Sequence, residues 1–316
     1  MIRLRRRMIR PPEPVDTPPA RYCGHMPVTL LGATEIRSLA ADLDVTPTKK
    51  LGQNFVVDAN TVRKIVHVAR VTDADRVVEV GPGLGSLTLA ILETGAAVTA
   101  VEIDHRLAAR LPGTAAAHGV PDGALTVVDA DALRITQLPG DPNVLVANLP
   151  YNVSVPVLLH FMETFPHLAR GVVMVQAEVG ERLAAPAGSK VYGAPSAKAA
   201  WYGRWRLAGT VSRQVFWPVP NVDSVLVGFE RDDRARGTEE ERLATFRIVD
   251  AAFQQRRKML RQALAAVLGG TAADAVTVLE AAGVAPTARG EELSIDDFTR
   301  IARAAWRSPR VQETSR

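Results

Sequence analysis

Val77-Val78-Glu79-Val80-Gly81-Pro82-Gly83-Leu84-Gly85-Ser86-Leu87-Thr88 is followed, after a short amphipathic segment, by Ala97-Val98-Thr99-Ala100-Val101-Glu102-Ile103-Asp104. A β-branched run meets a glycine turn, a helical pattern follows, and a second β-branched run ends in acids: strand, loop, helix, strand. Gly81, Gly83 and Gly85 let the backbone turn tightly and approach a ligand with no Cβ in the way. Glu102, about twenty residues beyond the first of them, is placed to bond a ribose hydroxyl pair. The unit reads as a nucleoside site. Its spacing is G-x-G-x-G, with Ser86 where a dinucleotide fingerprint has its third glycine. That departure favours S-adenosylmethionine, a cofactor without a pyrophosphate and with less need of a phosphate cradle at the helix start.

Working outward, a short strand at Ala124 to Val128 leads into Asp129-Ala130-Asp131-Ala132-Leu133, and an acid just past a third strand can accept from an adenine amine. A fourth strand, Asn143 to Ala147, runs into Asn148-Leu149-Pro150-Tyr151-Asn152. The Asn148 side-chain oxygen and a nearby backbone carbonyl can accept from an amine, Pro150 stiffens the turn and removes a donor, and Tyr151 offers a flat face. Asn-x-Pro is also an ordinary turn signal. At the end of the fourth strand of a doubly wound sheet, where ligands bind, it suits a planar base bearing an amino group.

Upstream, an amphipathic helical pattern spans Leu30 to Leu43, and Thr48-Lys49-Lys50-Leu51-Gly52-Gln53-Asn54-Phe55 precedes a helix from Ala59 to Arg70. Residues 1–27 are rich in arginine and proline and read as a disordered basic tail, either dispensable or adding nonspecific affinity for phosphate. No apolar stretch follows its arginines, so it does not read as a secretory signal. Six arginines (Arg3, Arg5, Arg6, Arg7, Arg10, Arg21) against Glu13 and Asp16 place the whole formal charge of +4 in this tail. An RNA-binding argument therefore rests on local clusters.

The 316 residues leave room for two domains. A hydrophobic content of 47% without an apolar run of membrane-spanning length argues against a membrane protein. The single cysteine, Cys23, allows no internal disulfide and fits a reducing, cytoplasmic compartment. The charged stretch Glu230 to Glu241, with Gly237, marks a boundary. Residues 28–231 form the expected α/β catalytic domain, 240–305 a small all-α domain and 306–316 a disordered tail. The segment Lys198 to Arg206, with Trp201, Tyr202, Arg204 and Trp205, is either an RNA-facing mixture of cations and aromatics or a half-buried helix with aromatic anchors. Gln254 to Arg261, read as part of the first C-terminal helix, carries Arg256, Arg257, Lys258 and Arg261 without an acid. It is either a solvated face or an RNA contact.

Together these stretches resemble the ribosomal RNA adenine N6-dimethyltransferases, most closely the bacterial enzymes of the small-subunit RNA. The likeness runs from Lys49 to Ile301. It rests on Lys49 to Phe55, Glu79 to Gly85, Val101 to Asp104, Asn148 to Asn152, Val175-Gln176-Ala177-Glu178-Val179-Gly180-Glu181-Arg182-Leu183, Gly188 to Gly193, and Phe216-Trp217-Pro218-Val219-Pro220-Asn221-Val222-Asp223-Ser224. Arg289-Gly290-Glu291-Glu292-Leu293-Ser294 extends it, as an N-cap signal before the last helix.

The resemblance implies a Rossmann-like methyltransferase sheet with a helical C-terminal domain. It implies transfer from S-adenosylmethionine to adenine N6, twice on each of two adjacent adenines in a hairpin loop near the 3′ end of small-subunit ribosomal RNA. It implies as well a monomer acting on immature subunits, without a metal and with an added assembly-checkpoint role. On the cofactor it places Asn54 and Val56 at the methionine or ribose end, Gly81 under the amino-acid part, Glu102 on the ribose hydroxyls, Asp131 on the adenine amine, and Asn148 between cofactor and substrate. Val56 stands where the family commonly has leucine. Asp129 competes with Asp131 by register, and Asp131 is preferred because Ala132-Leu133 follows it.

The implied catalytic set is Asn148, Leu149, Pro150 and Tyr151, with Phe216 as second wall of the base pocket. The implied RNA contacts are Lys49, Lys50, Arg256, Arg257, Lys258 and Arg261. The nearest rival is a large-subunit RNA adenine methyltransferase of the antibiotic-resistance type, which shares the catalytic half. A DNA adenine methyltransferase is disfavoured by Leu149 inside the acceptor turn, and a nicotinamide dehydrogenase leaves Asn148 to Tyr151 unexplained. A noncatalytic assembly factor on the same fold is opposed by the intact Gly81, Glu102, Asn148 and Tyr151.

Overall fold

The computed structural model describes residues 27–44 and 54–307. Lys49, Lys50 and most of both terminal tails lie outside the described residues.

Among the described residues nine strands form: β1 (Phe55–Val56), β2 (Arg76–Val80), β3 (Ala97–Glu102), β4 (Leu125–Asp129), β5 (Val144–Asn148), β6 (Arg170–Gln176), β7 (Gly203–Val211), β8 (Phe216–Trp217) and β9 (Ser224–Arg231). Seven join one sheet in the order β4-β3-β2-β5-β6-β9-β7, while β1 and β8 make a separate ribbon. The pairs from β4 through β6 are parallel, and β9 runs antiparallel to both its neighbours. Strand order reverses between β2 and β5, which opens a crevice at their carboxyl ends.

The apolar runs of β2 and β5 are continuous because both faces of the sheet are covered. Val77, Val144 and Val146 point into a core with Val62, Ile65 and Val66 of helix Ala59–Ala69 and with Leu87 and Ile91 of helix Ser86–Leu92. Val78, Leu145 and Ala147, one residue along, point the other way, onto Val157 and Phe161 of helix Ser154–Thr164. Asp58 caps the first of these helices by accepting from Thr61 N, and Arg70 ends it in the left-handed conformation. The N-terminal helical pattern becomes a helix over Ala33–Asp42.

The C-terminal helices share the second of these cores, which runs on without a break through Ile248, Leu260, Leu279 and Phe298. Trp201 and Tyr202, each 7% exposed, meet Phe246 of helix Glu239–Gln254 edge-on at 6.1 and 6.2 Å. Lys198 pairs with Asp250 of the same helix at 2.7 Å. The Lys198 to Arg206 stretch is thus the seam between sheet and helices, and its aromatics are anchors rather than an RNA face. The gain from burying such rings outweighs their display to solvent.

Two readings are corrected. Gln254 to Arg261 is not one helix: the helix stops at Gln254, a turn follows in which Lys258 N bonds Gln255 O, and a new short helix starts at Leu260. The carbonyls of Ala288 and Pro286 capture the N–H groups of Leu260 and Arg261, competing with helical bonds there. At the other end, the last helix, Ile295–Arg307, carries Trp306 and Arg307, which the sequence assigns to the tail. No helix among the described residues is long and apolar enough to cross a membrane.

Candidate active site

A cavity of about 320 Å³ lies at the carboxyl ends of β2, β3, β4 and β5. The glycine turn makes its floor. Gly83 (φ +58°) and Gly85 (φ +99°) hold left-handed conformations, and an added Cβ would come within 2.9 Å of Phe55 Cε1 and 2.8 Å of Leu111 Cδ1 respectively. Only glycine fits there without strain.

Glu102, at the end of β3, accepts from Gly83 N at 3.0 Å and from Ile103 N and Asp104 N at 2.9 Å each. Three backbone donors fix its carboxylate at the cavity wall, although burial raises its pKa above the ordinary carboxylate value. Asp131 also lines the cavity, its Oδ1 accepting from Leu133 N at 2.9 Å. Asp129 instead pairs with exposed His105 and is absent from the lining. The structure thereby separates the two aspartates that register alone left in competition.

Asn148 ends β5, and its Nδ2 donates to the Asn54 carbonyl at 3.0 Å. This bond settles which end of the amide is which, so that Oδ1 is the acceptor left to serve a ligand. Asn54, Val56, Gly81 and Pro150 join Asn148 on the lining. Leu149 is 1% exposed, with its N–H donated to Met174 O across to β6. Tyr151 stands beside the lining rather than on it. Its hydroxyl is 2.8 Å from Ser224 Oγ, and burial raises its pKa above the ordinary phenol value. That bond ties together two motifs far apart in sequence and fixes the orientation of the ring.

The structure does not place Phe216 on a base-pocket wall. Ribbon pairing sets Val56 opposite Phe216 and Phe55 opposite Trp217. Phe216, 2% exposed, turns into the core with Ile65 and Leu226, and Phe55 and Trp217 turn to the other side. In a two-residue strand, one position decides the face.

Three residues absent from the sequence-derived set belong to the cavity. Ile103 (59% exposed) and Leu133 (38% exposed) are large apolar side chains at its rim, an apolar slot for a flat ring. Glu79 lines it from β2 at 1% exposure with no hydrogen-bond partner for Oε2, and burial, aided by the Glu102 charge, pushes its carboxyl up to about 8. The signal was visible as an acid inside an apolar run. The Thr88 side chain beside the carboxyl favours its charged form, and the second carboxyl oxygen, buried without a partner, calls for one.

The C-terminal cations lie apart from the cavity. Arg256 is a strut, paired with Glu291 at 2.8 Å and donating to the Lys190 carbonyl at 2.9 Å. Arg257 and Lys258 are exposed, and Arg261 is half-buried.

A family model described as ribosomal RNA adenine dimethylase matches residues 46–305. The chain belongs to this family. It is 67% identical to ribosomal RNA small subunit methyltransferase A of Leifsonia xyli subsp. xyli, over 86% of this chain and 98% of that protein. It is 57% identical to the protein of the same name from Streptomyces coelicolor, over 87% and 97%. Among solved structures, a dimethyladenosine transferase from Plasmodium falciparum is similar with a TM-score of 0.67 at 24% identity, covering 77% of this chain and 94% of that one. The 23S rRNA methyltransferase ErmE follows with a TM-score of 0.61 at 23% identity, covering 80% and 100%. At those identities the structures attest the fold.

The cofactor of such a dimethylase, S-adenosylmethionine, fits the cavity part by part. The partnerless Glu79 oxygen suits an ammonium, the pinned Glu102 carboxylate suits vicinal hydroxyls, and the slot between Ile103 and Leu133, with Asp131 at its edge, suits an adenine.

Proposed function

We infer that this protein dimethylates adenine N6 in small-subunit ribosomal RNA, acting on two adjacent adenines of a hairpin loop near the 3′ end. S-adenosylmethionine supplies the methyl group as a sulfonium. The observation that carries the reading is the Asn148 amide on the cavity lining, its Nδ2 taken by the Asn54 carbonyl so that Oδ1 is left as the acceptor.

The difficulty of the reaction is electronic: the N6 lone pair is delocalised into the ring. Asn148 Oδ1 and the Leu149 carbonyl, accepting hydrogen bonds from the N6 hydrogens, localise that pair and stabilise the positive charge that grows on nitrogen as the N–C bond forms and the S–C bond breaks; S-adenosylhomocysteine is the leaving group and the surplus N6 proton passes to water. Pro150 keeps the turn rigid, and Tyr151, anchored by Ser224, gives the base a face to stack on. Alignment of the acceptor nitrogen supplies the remainder of the rate. A loop adenine is reached at modest unstacking cost.

Asn54 and Val56 hold the methionine or ribose end, Gly81 lies under the amino-acid part, Glu102 takes the ribose hydroxyls and Asp131 the adenine amine, with Glu79 added on the ammonium. Arg257 and Lys258 are the C-terminal cations free to meet RNA backbone, and the Lys49-Lys50 pair of the sequence is assigned the same role. The substrate is an immature small subunit in the cytoplasm, engaged by a monomer, and its binding serves as an assembly checkpoint.

The test incubates the protein and S-adenosylmethionine with small subunits lacking the adenine methyls, followed by digestion and mass spectrometry of the nucleosides. N6,N6-dimethyladenosine at both hairpin adenines is expected. Its appearance on large-subunit RNA alone would replace this reading with the resistance-type activity. Within the cavity, Asp131→Ala is expected to weaken S-adenosylhomocysteine binding about tenfold, and Asp129→Ala to leave it unchanged, as measured by calorimetry. Equal losses would reopen the choice of register.

A further inference from the structure

The ribbon of β1 and β8 connects the catalytic amide to the outside through a short series of contacts. Asn148 Nδ2 bonds the Asn54 carbonyl at 3.0 Å, and Asn54 leads directly into Phe55. Phe55 lines the cavity and stacks on Trp217, with ring centroids 6.3 Å apart and planes at 24°. Trp217 is half-buried, and exposed Pro218 and Val219 (58% exposed) follow it. The aromatic pair thus links the cavity wall to the surface, the indole packed on Phe55 and its apolar cluster on one side and partly exposed on the other.

None of the roles assigned to Asn148, Tyr151 or the cofactor-binding acids draws on this indole. A large, partly exposed aromatic stacked on a ring of the cavity wall is the kind of side chain that single-stranded RNA modules use for stacking. Drawing one loop adenine into a site strips its neighbour of a stacking partner, and an aromatic platform just outside the cavity, behind Phe55, replaces that partner.

We propose that Trp217 is the platform on which the base adjacent to the target adenine stacks while the target occupies the site. This rests on the RNA-methylation reading above and adds a positioning residue to it. The platform takes the neighbour on one side of whichever adenine occupies the site, and for one of the two targets that neighbour is the other adenine. Trp217 then acts on substrate affinity and register and not on the methyl-transfer step itself.

The test measures KM and kcat separately on undermethylated small subunits for wild type, Trp217→Phe, Trp217→Ala and Trp217→Leu. The same assays use subunits whose RNA carries an abasic position next to a single target adenine, introduced by ligating a synthetic 3′ fragment. Trp217→Ala and Trp217→Leu are expected to raise KM about tenfold on native subunits, in line with one base–aromatic stack. Trp217→Phe should recover most of the loss, kcat should hold, and S-adenosylhomocysteine affinity should be unchanged. On abasic subunits the wild type and the Ala and Leu variants should become equal. An equal loss on native and abasic subunits, or a loss of S-adenosylhomocysteine affinity in the Leu variant, would make Trp217 only a support for Phe55 and overturn the proposal. Wild type that methylates neither substrate would overturn the functional reading itself, a distinct result.

Discussion

Asn148→Ala is expected to lower kcat for adenine methylation by about 10³-fold while leaving small-subunit binding within about twofold of wild type. The expectation follows from what the amide does. Its oxygen accepts a proton bond that strengthens as positive charge builds on N6, and a preorganised group of this kind contributes in the transition state much more than in the ground state. RNA affinity, by contrast, comes from cations and stacking surfaces spread over a larger face. Removing the side chain also deletes the bond to the Asn54 carbonyl, so S-adenosylhomocysteine affinity is measured beside it to show that the cavity persists. Asn148→Asp keeps the acceptor but turns a carboxylate oxygen toward the Asn54 carbonyl, and an intermediate loss is expected. Single-turnover methylation and filter binding of subunits separate the two effects. Comparable losses in rate and in subunit binding would sink the division between chemistry and RNA recognition.

The sheet was legible because its signals are local and redundant. The β-branched runs around Val77, Val98 and Val144 alternate with helical patterns, and the glycines mark where the chain must turn at the ligand. Asn148 could be found because it ends such a run at a proline turn. What escaped the sequence depended on one-residue registers and on distant partners. Phe216 and Trp217 are adjacent aromatics on a two-residue strand, and only pairing with Phe55 and Val56 decides which faces the core. The break after Gln254 comes from carbonyls of Pro286 and Ala288, some thirty residues away. Trp201 and Tyr202 carry the same composition as an RNA-facing surface, and only Phe246 packed against them reveals a seam. Ser224 gained its role through the Tyr151 hydroxyl, a contact no spacing rule encodes.

Glu79→Gln is expected to remove a pH dependence that the wild-type cofactor site should display. In the protein without ligand, burial and the Glu102 charge hold this carboxyl at about 8 against an ordinary 4.5, so it is protonated at neutral pH with one oxygen lacking a partner. An ammonium placed against that oxygen favours the charged carboxylate, and binding below pH 8 must then expel a proton. The sign follows: the logarithm of the association constant for S-adenosylhomocysteine should rise with pH at a slope approaching +1 and level off above about 8. Calorimetry in buffers of different ionisation heat should register release of up to one proton near pH 6.5. Without ligand the linkage runs the opposite way. A folded-state pKa above the unfolded one means that the folded protein binds more protons between about 4.5 and 8, so this group's contribution to stability falls with rising pH across that window by up to about 1.4 kcal/mol per pH unit. The Gln variant, neutral at every pH, should show no proton release from this site, a flat affinity profile and a weaker complex at pH 8 by about tenfold or more. Raising the pH therefore strengthens the wild-type complex while it destabilises the empty protein, two opposed trends with one carboxyl as their source. A wild-type affinity independent of pH between 6 and 8 would show that the Glu79 oxygen does not face the ammonium.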